Sequence, residues 1–127
     1  MQQREKNSNK NLEDLNREQY VHLTTKGRKT GKPHTVELWF AIAERKIFLS
    51  HEGKHTDWMR NLIKDGSVVA EIGGAEFFGK ARITDERSSS RELGKKALYE
   101  KYYSKADQET IDDWFSLSAV IEITPAA

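Results

Sequence analysis

The sequence has no cysteine. Disulfide frameworks, thiolate zinc sites and cysteine nucleophiles are therefore excluded. No run approaches the roughly 18 apolar residues of a membrane-spanning helix, and the N-terminus lacks an apolar signal segment, so a cytoplasmic chain without a transmembrane segment is expected. Neither sign of charge is in excess. A net charge of +1 gives no global pull toward nucleic acid or an anionic membrane, and any electrostatic function must come from local clustering. Internal repeats and low-complexity tracts are absent, and no Ser-His-Asp or paired-carboxylate arrangement can be recognised from spacing, which leaves hydrolytic chemistry without support.

What is present is a charged chain with a small core. Charged residues make up 32% of the 127 positions and apolar ones 36%, against a charged fraction of roughly 25% in typical soluble domains. That length accommodates one domain with a single core. Residues 1–19 mix both signs of charge with Asn, Gln and Ser and read as a flexible lead-in, with one short helix around Leu12 to Arg17; residues 20–127 form the domain.

From Tyr20 the apolar period becomes two. "YVHLTT" reads as a strand, "HTVELWFAIA" as a second with Val36, Leu38, Phe40 and Ile42 on one side, and "RKIFLSHEG" as a third. In "HTDWMRNLIKDG", Thr56 or Asp57 can cap a helix whose Trp58, Met59, Leu62 and Ile63 share a face, with Gly66 as the stop. "SVVAEIGGAEFFGKARIT" is a strand, a Gly73-Gly74 turn and a strand. A helical pattern runs from Glu86 to about Tyr103, "DQETIDDWF" adds a short helix, and "SAVIEIT" is a closing strand. Hairpin-linked strands with few crossovers predict a mainly β (α+β) fold: about six mostly antiparallel strands in a closed or nearly closed barrel with flanking helices.

The densest cationic cluster, Lys26, Arg28, Lys29 and Lys32, lies in the first hairpin connection. This is not the phosphate loop of nucleotide hydrolases, which has four residues between its glycines, then Lys and Ser/Thr, and leads into a helix. Here three residues separate Gly27 from Gly31, Lys32 precedes Pro33, and a strand follows. Residue chemistry leaves two readings open. The glycines can let backbone N–H groups converge on a phosphate, with Arg28 and Lys29 adding charge-assisted bonds and Thr30 a hydroxyl. Alternatively, the lysines only solvate a turn.

"LTTKGRKTGKPHTVEL" resembles the "LTTxGRKSGxPRxxPL" stretch of the deazaflavin-dependent nitroreductase family, split-barrel oxidoreductases that use reduced coenzyme F-420. "HTDWMRNLIKDGSVVAEIGG" resembles that family's Trp-x-x-Asn-Leu helix, strand and paired-glycine turn, and "AVIEITP" its closing strand, so the likeness covers Tyr20 to Pro125. The resemblance implies a split β-barrel. It implies that Arg28, Lys29 and Thr30 hold the coenzyme's phosphate-bearing chain, with Lys32 close to its acidic tail. Asp57, Trp58 and Asn61 match positions lining the deazaflavin ring, where an indole can stack and an amide can bond the ring edge, although an isolated Trp on an amphipathic helix, taken without the resemblance, reads as a core residue. His34 stands where the family usually has Arg, Glu37 where it often has Pro, and "SHEGK" replaces Lys-Gly-Gly; Glu52 adds negative charge where a polyanionic tail prefers cations, and Lys54 can compensate. Tyr99, Tyr102 and Tyr103 fall where relatives place tyrosines over the substrate, and Tyr102 and Tyr103 are the expected proton donors.

The implied activity is hydride transfer from reduced deazaflavin to a quinone, nitroaromatic or activated alkene, with the barrel supplying orientation and a proton. The partner is then a small-molecule acceptor, and a homodimer is plausible from the resemblance. Two alternatives stay open: an FMN-binding split-barrel oxidoreductase, and a non-enzymatic protein that grips an anion with the basic hairpin. No metal is expected. His51 and His55 have i, i+4 spacing, but Gly53 between them argues against a continuous helix and no third ligand is evident.

Overall fold

The computed structural model of the protein describes residues 12–52, 56–85, 87–103 and 118–126. Strands β1 (Tyr20–Lys26), β2 (Pro33–Trp39), β3 (Ala41–Ala43) and β4 (Lys46–Glu52) precede helix α1 (Asp57–Lys64). After them come β5 (Ser67–Ile72), β6 (Ala75–Ile83), helix α2 (Ser89–Leu98), a π-helical turn (Tyr99–Tyr103) and β7 (Ser118–Pro125). All strand pairings are antiparallel, in one seven-stranded sheet of order β2-β1-β5-β6-β7-β4-β3. β2 and β3 are the two outer strands of that order, yet only Phe40 separates them in sequence. A sheet whose opposite edges are joined by one residue must curl until those edges meet, which makes this the split barrel expected from the sequence.

The strand expected over His34–Ala43 is two strands, and the sheet has seven rather than about six. Phe40 is fully buried and continues the inward alternation of Val36 and Leu38, so the apolar pattern carries no sign of a break. The break is made from elsewhere. The Phe40 N–H donates to the Tyr102 hydroxyl at 3.2 Å, which satisfies it without a ladder partner, and the hydroxyl's one hydrogen is shared between the Phe40 carbonyl at 2.9 Å and the Gln19 carbonyl.

Inside the barrel, Val21, Leu23, Ile47, Leu49, Val68, Ala70, Ile72, Ile121 and Ile123 meet Trp58, Met59 and Leu62 of α1, which plugs one flank. A second, smaller cluster lies outside the sheet, where α2 covers Ala41, Phe48 and Val120 with Leu98. Gly94 permits that approach, since a Cβ there would stand 2.6 Å from the Phe48 ring. On the same outer face, Glu122 is buried with its carboxylate 2.6 Å from Lys46 and 2.8 Å from Arg82. Burial pushes its pKa up, but hydrogen bonds from Lys46 and Ser90 and the charges of Arg82 and Lys46 outweigh that and hold it below the usual carboxylate range.

Part of the lead-in is packed. Leu12 is buried in the main core, the Asn16 side chain accepts from the Ile42 N–H at 2.8 Å, and Glu13 accepts from the Arg45 N–H at 2.9 Å. Residues 1–11 and the helix expected over "DQETIDDWF" lie outside the described residues.

Candidate functional site

The β1–β2 hairpin is in strict register from Tyr20↔Trp39 to Lys26↔Pro33, which puts the cationic connection at one end of the barrel. Its turn is closed by Gly27 N–H to the Lys32 carbonyl and Gly31 N–H to the Gly27 carbonyl, both at 2.8 Å. Gly31 has φ +77, a left-handed conformation that an L side chain would strain. Thr30 Oγ1 accepts from the Lys32 N–H at 3.2 Å.

Helix α1 faces this turn with Asp57, Asn61 and Lys64, spaced four and three residues apart and so on one stripe. Asn61 Oδ1 accepts from the Arg28 backbone N–H at 3.1 Å and from Arg28 Nη1 at 2.9 Å. Asp57 Oδ1 accepts from Arg28 Nη2 at 3.2 Å, and Lys64 Nζ donates to the Arg28 carbonyl at 2.9 Å. Asn61 Nδ2 donates to Thr25 Oγ1 at 3.1 Å.

Between loop and helix lies a cavity of about 210 Å³ lined by Gly27, Arg28, Lys29, Thr30, His34, Asp57 and Asn61. It gathers six of the eight residues expected to bind a cofactor. Lys32 is on the loop but outside this lining. Trp58 points the other way: 4% exposed and packed in the main core, it presents no open indole face to a ring. The sequence singles out neither Thr25 nor Lys64, and Thr56 only as a candidate helix cap, though the 57/61/64 stripe is legible at helical spacing. Thr56 Oγ1, at the N-cap position of α1 beside Asp57, is buried without a hydrogen-bond partner among the described residues.

One expected proton donor, Tyr102, lies away from this cavity. Tyr102 sits at the Phe40 corner, at the far end of β1, a strand of seven residues and so about 20 Å long. Its hydroxyl accepts from Phe40 and lies 2.8 Å from the Gln19 carbonyl, and its ring stacks on Trp39 at 4.4 Å between centroids. The Tyr103 side chain lies outside the described residues. Among the described residues there is no cluster of His, Asp and Glu able to hold a metal.

The site's chemistry fits an anion. Its mouth carries Lys29, with Lys32 on the same loop and the Arg28 guanidinium behind, while Asp57 is engaged with Arg28. Its volume falls below the roughly 300–1,000 Å³ of whole-ligand pockets, so it suits the phosphate end of a larger molecule. A wider groove of about 430 Å³ flanks the other side of the loop, where Gly31 and Pro33 meet Val69, Phe78, Lys26 and Lys80.

A model of the F420H(2)-dependent quinone reductase family matches residues 1–112. The chain belongs to this family. A solved F420-H2 dependent reductase is 25% identical, over 82% of this chain and 92% of that one, with a TM-score of 0.65. A conserved hypothetical protein from Mycobacterium tuberculosis is 22% identical over 89% of this chain and 76% of its own, with a TM-score of 0.71. The heme storage protein HutZ from Vibrio cholerae shares the fold at 16% identity and a TM-score of 0.72, over 89% and 85% of the two chains. No curated protein matches the chain. As a member of the quinone reductase family this protein is a deazaflavin-dependent oxidoreductase, and no helix among its described residues is long and apolar enough to cross a membrane.

Proposed function

We propose that the Gly27–Lys32 loop and the head of α1 hold the phosphate-bearing chain of coenzyme F-420, and that the acceptor is a quinone, with nitroaromatics and activated alkenes as lesser substrates. One observation carries this reading: the fold collects Arg28, Lys29, Thr30 and His34 around a single small cavity. Lys29 supplies charge at its mouth, Thr30 a hydroxyl, and the partly covered Arg28 a guanidinium with N–H groups beyond those given to Asn61 and Asp57. When bound, the reduced coenzyme supplies the hydride. The protein's part is to bind and orient, which explains why its clearest signals are binding residues rather than an acid–base pair. The fixed hydroxyl of Tyr102 serves the corner, so proton delivery does not rest on it in this reading.

The test is anaerobic mixing of the protein, reduced deazaflavin and a soluble quinone. Quinone-dependent oxidation of the deazaflavin is expected. Inactivity with this coenzyme, accompanied by stoichiometric FMN binding and FMN-dependent turnover, would replace the reading with the flavoprotein alternative.

A further inference from the structure

Asn61 matches a position expected to bond the edge of a cofactor ring, but its amide is already committed. A carboxamide has two acceptor lone pairs and two donor hydrogens. Both acceptor positions of Asn61 are taken by Arg28, through its backbone N–H and its guanidinium, and one donor is given to Thr25. The residue is 1% exposed, as is Thr25. Arg28 is consequently held at its N–H by Asn61, at its carbonyl by Lys64 and at its guanidinium by Asn61 and Asp57.

We infer that Asn61 is a positioning residue: it fixes Arg28 as the rigid point of the loop, so that Lys29 and Thr30 project into the cavity before any ligand arrives. The inference rests on the proposed coenzyme site and assigns Asn61 and Arg28 a joint role within it. A glycine-flanked loop without this anchor must be ordered by the ligand, and the cost of ordering appears as weaker binding rather than slower chemistry. Arg28 and Asn61 then act as one unit, and their effects do not add. Lys29 makes no bond to Asn61 and acts separately.

The experiment uses the whole chain and the variants Asn61→Leu, Asn61→Asp, Arg28→Ala and Asn61→Leu/Arg28→Ala. Asn61→Leu keeps the bulk and loses the acceptor; Asn61→Asp keeps the acceptor, and the Thr25 hydroxyl can turn to donate to it. The first readout needs no coenzyme: limited trypsin cleavage after Arg28 and Lys29, with the hydrogen-exchange protection of the Arg28 amide. Cleavage is expected to rise about tenfold or more in Asn61→Leu and to stay near parental in Asn61→Asp. The second readout is KM for reduced deazaflavin, expected to rise about tenfold in Asn61→Leu at nearly unchanged kcat, with the double variant no worse than the more affected single one. If Asn61→Leu does not fold, Asn61→Ser, too short to reach both Arg28 groups, takes its place. Parental cleavage and amide protection in the folded variant would overturn the positioning role and leave the coenzyme site intact. A freed loop with unchanged coenzyme affinity would overturn the inference by showing that the coenzyme binds elsewhere.

Discussion

The two ends of the β1–β2 hairpin are built alike and left in different states. At each end a distant side chain grips the main chain of a connection: Tyr102 holds Phe40, and Asn61 holds Arg28. At the Phe40 corner everything nearby is then used up. Trp39 stacks on Tyr102, and Lys101 lies 3.6 Å over the Phe40 ring while donating to the Glu18 carbonyl at 2.7 Å. Burial pushes the Lys101 ammonium down to about 8, the signature of a cation held against apolar surface. At the loop end the anchor is equally firm, but Lys29 and Lys32 stay exposed beside a cavity. Firm anchoring with unspent charge is what makes the loop end the proposed binding end.

The largest effect that can break this comparison belongs to Trp58. As a core residue, Trp58→Ala should cost about 3–5 kcal/mol of stability, measured by denaturant unfolding, and leave coenzyme affinity of the folded protein nearly unchanged. A loss of affinity without that destabilisation would bring the indole back to the ring.

Next is Glu122, on the flank covered by α2. Glu122→Gln should cost roughly 1.5–3 kcal/mol near neutral pH, because two charge-assisted bonds are lost. Its folded-state pKa lies below the unfolded 4.5, so its contribution is full above that value and disappears as pH falls through the lowered one. The melting temperatures of parent and variant should therefore differ at pH 7 and converge in acid. A gap that stays constant down to the acid limit would contradict the assignment.

Tyr102→Phe should cost about 1–2 kcal/mol by leaving corner backbone groups unpaired, with KM and kcat close to parental. If kcat collapses while the melting temperature holds, the tyrosine is a proton donor after all. The smallest effect on stability is at Lys29. Lys29→Ala should change it by no more than about 0.5 kcal/mol yet weaken deazaflavin binding about tenfold, whereas Lys96→Ala on α2 should do neither. Arg28→Ala differs from Lys29→Ala because its guanidinium is bonded to α1, and a loss of about 1–3 kcal/mol of stability should accompany its weaker binding.

Strand alternation in β1, β5 and β6 made the barrel legible, because each has one wetter face and the period of two shows in the residues. The break at Phe40 did not show, since the phenylalanine keeps the inward pattern and the group that bends the chain is 62 residues away. The loop's cations and glycines were readable as a unit for the same local reason. The work of Asn61 was not, because its partner Arg28 lies 33 residues off, and only the fold tells whether an amide on a helix faces a ligand or a loop. Trp58 shows the reverse case: a motif position identified by likeness, whose side chain the helix turns into the core.

The most direct test of the central claim is a calorimetric titration of the purified protein with deazaflavin coenzyme F-420 and with FMN, at one pH and one salt concentration, for parent and Lys29→Ala. The account predicts tighter binding of the deazaflavin than of FMN, weakened about tenfold by Lys29→Ala. Tighter binding of FMN, or deazaflavin affinity indifferent to Lys29, would contradict it.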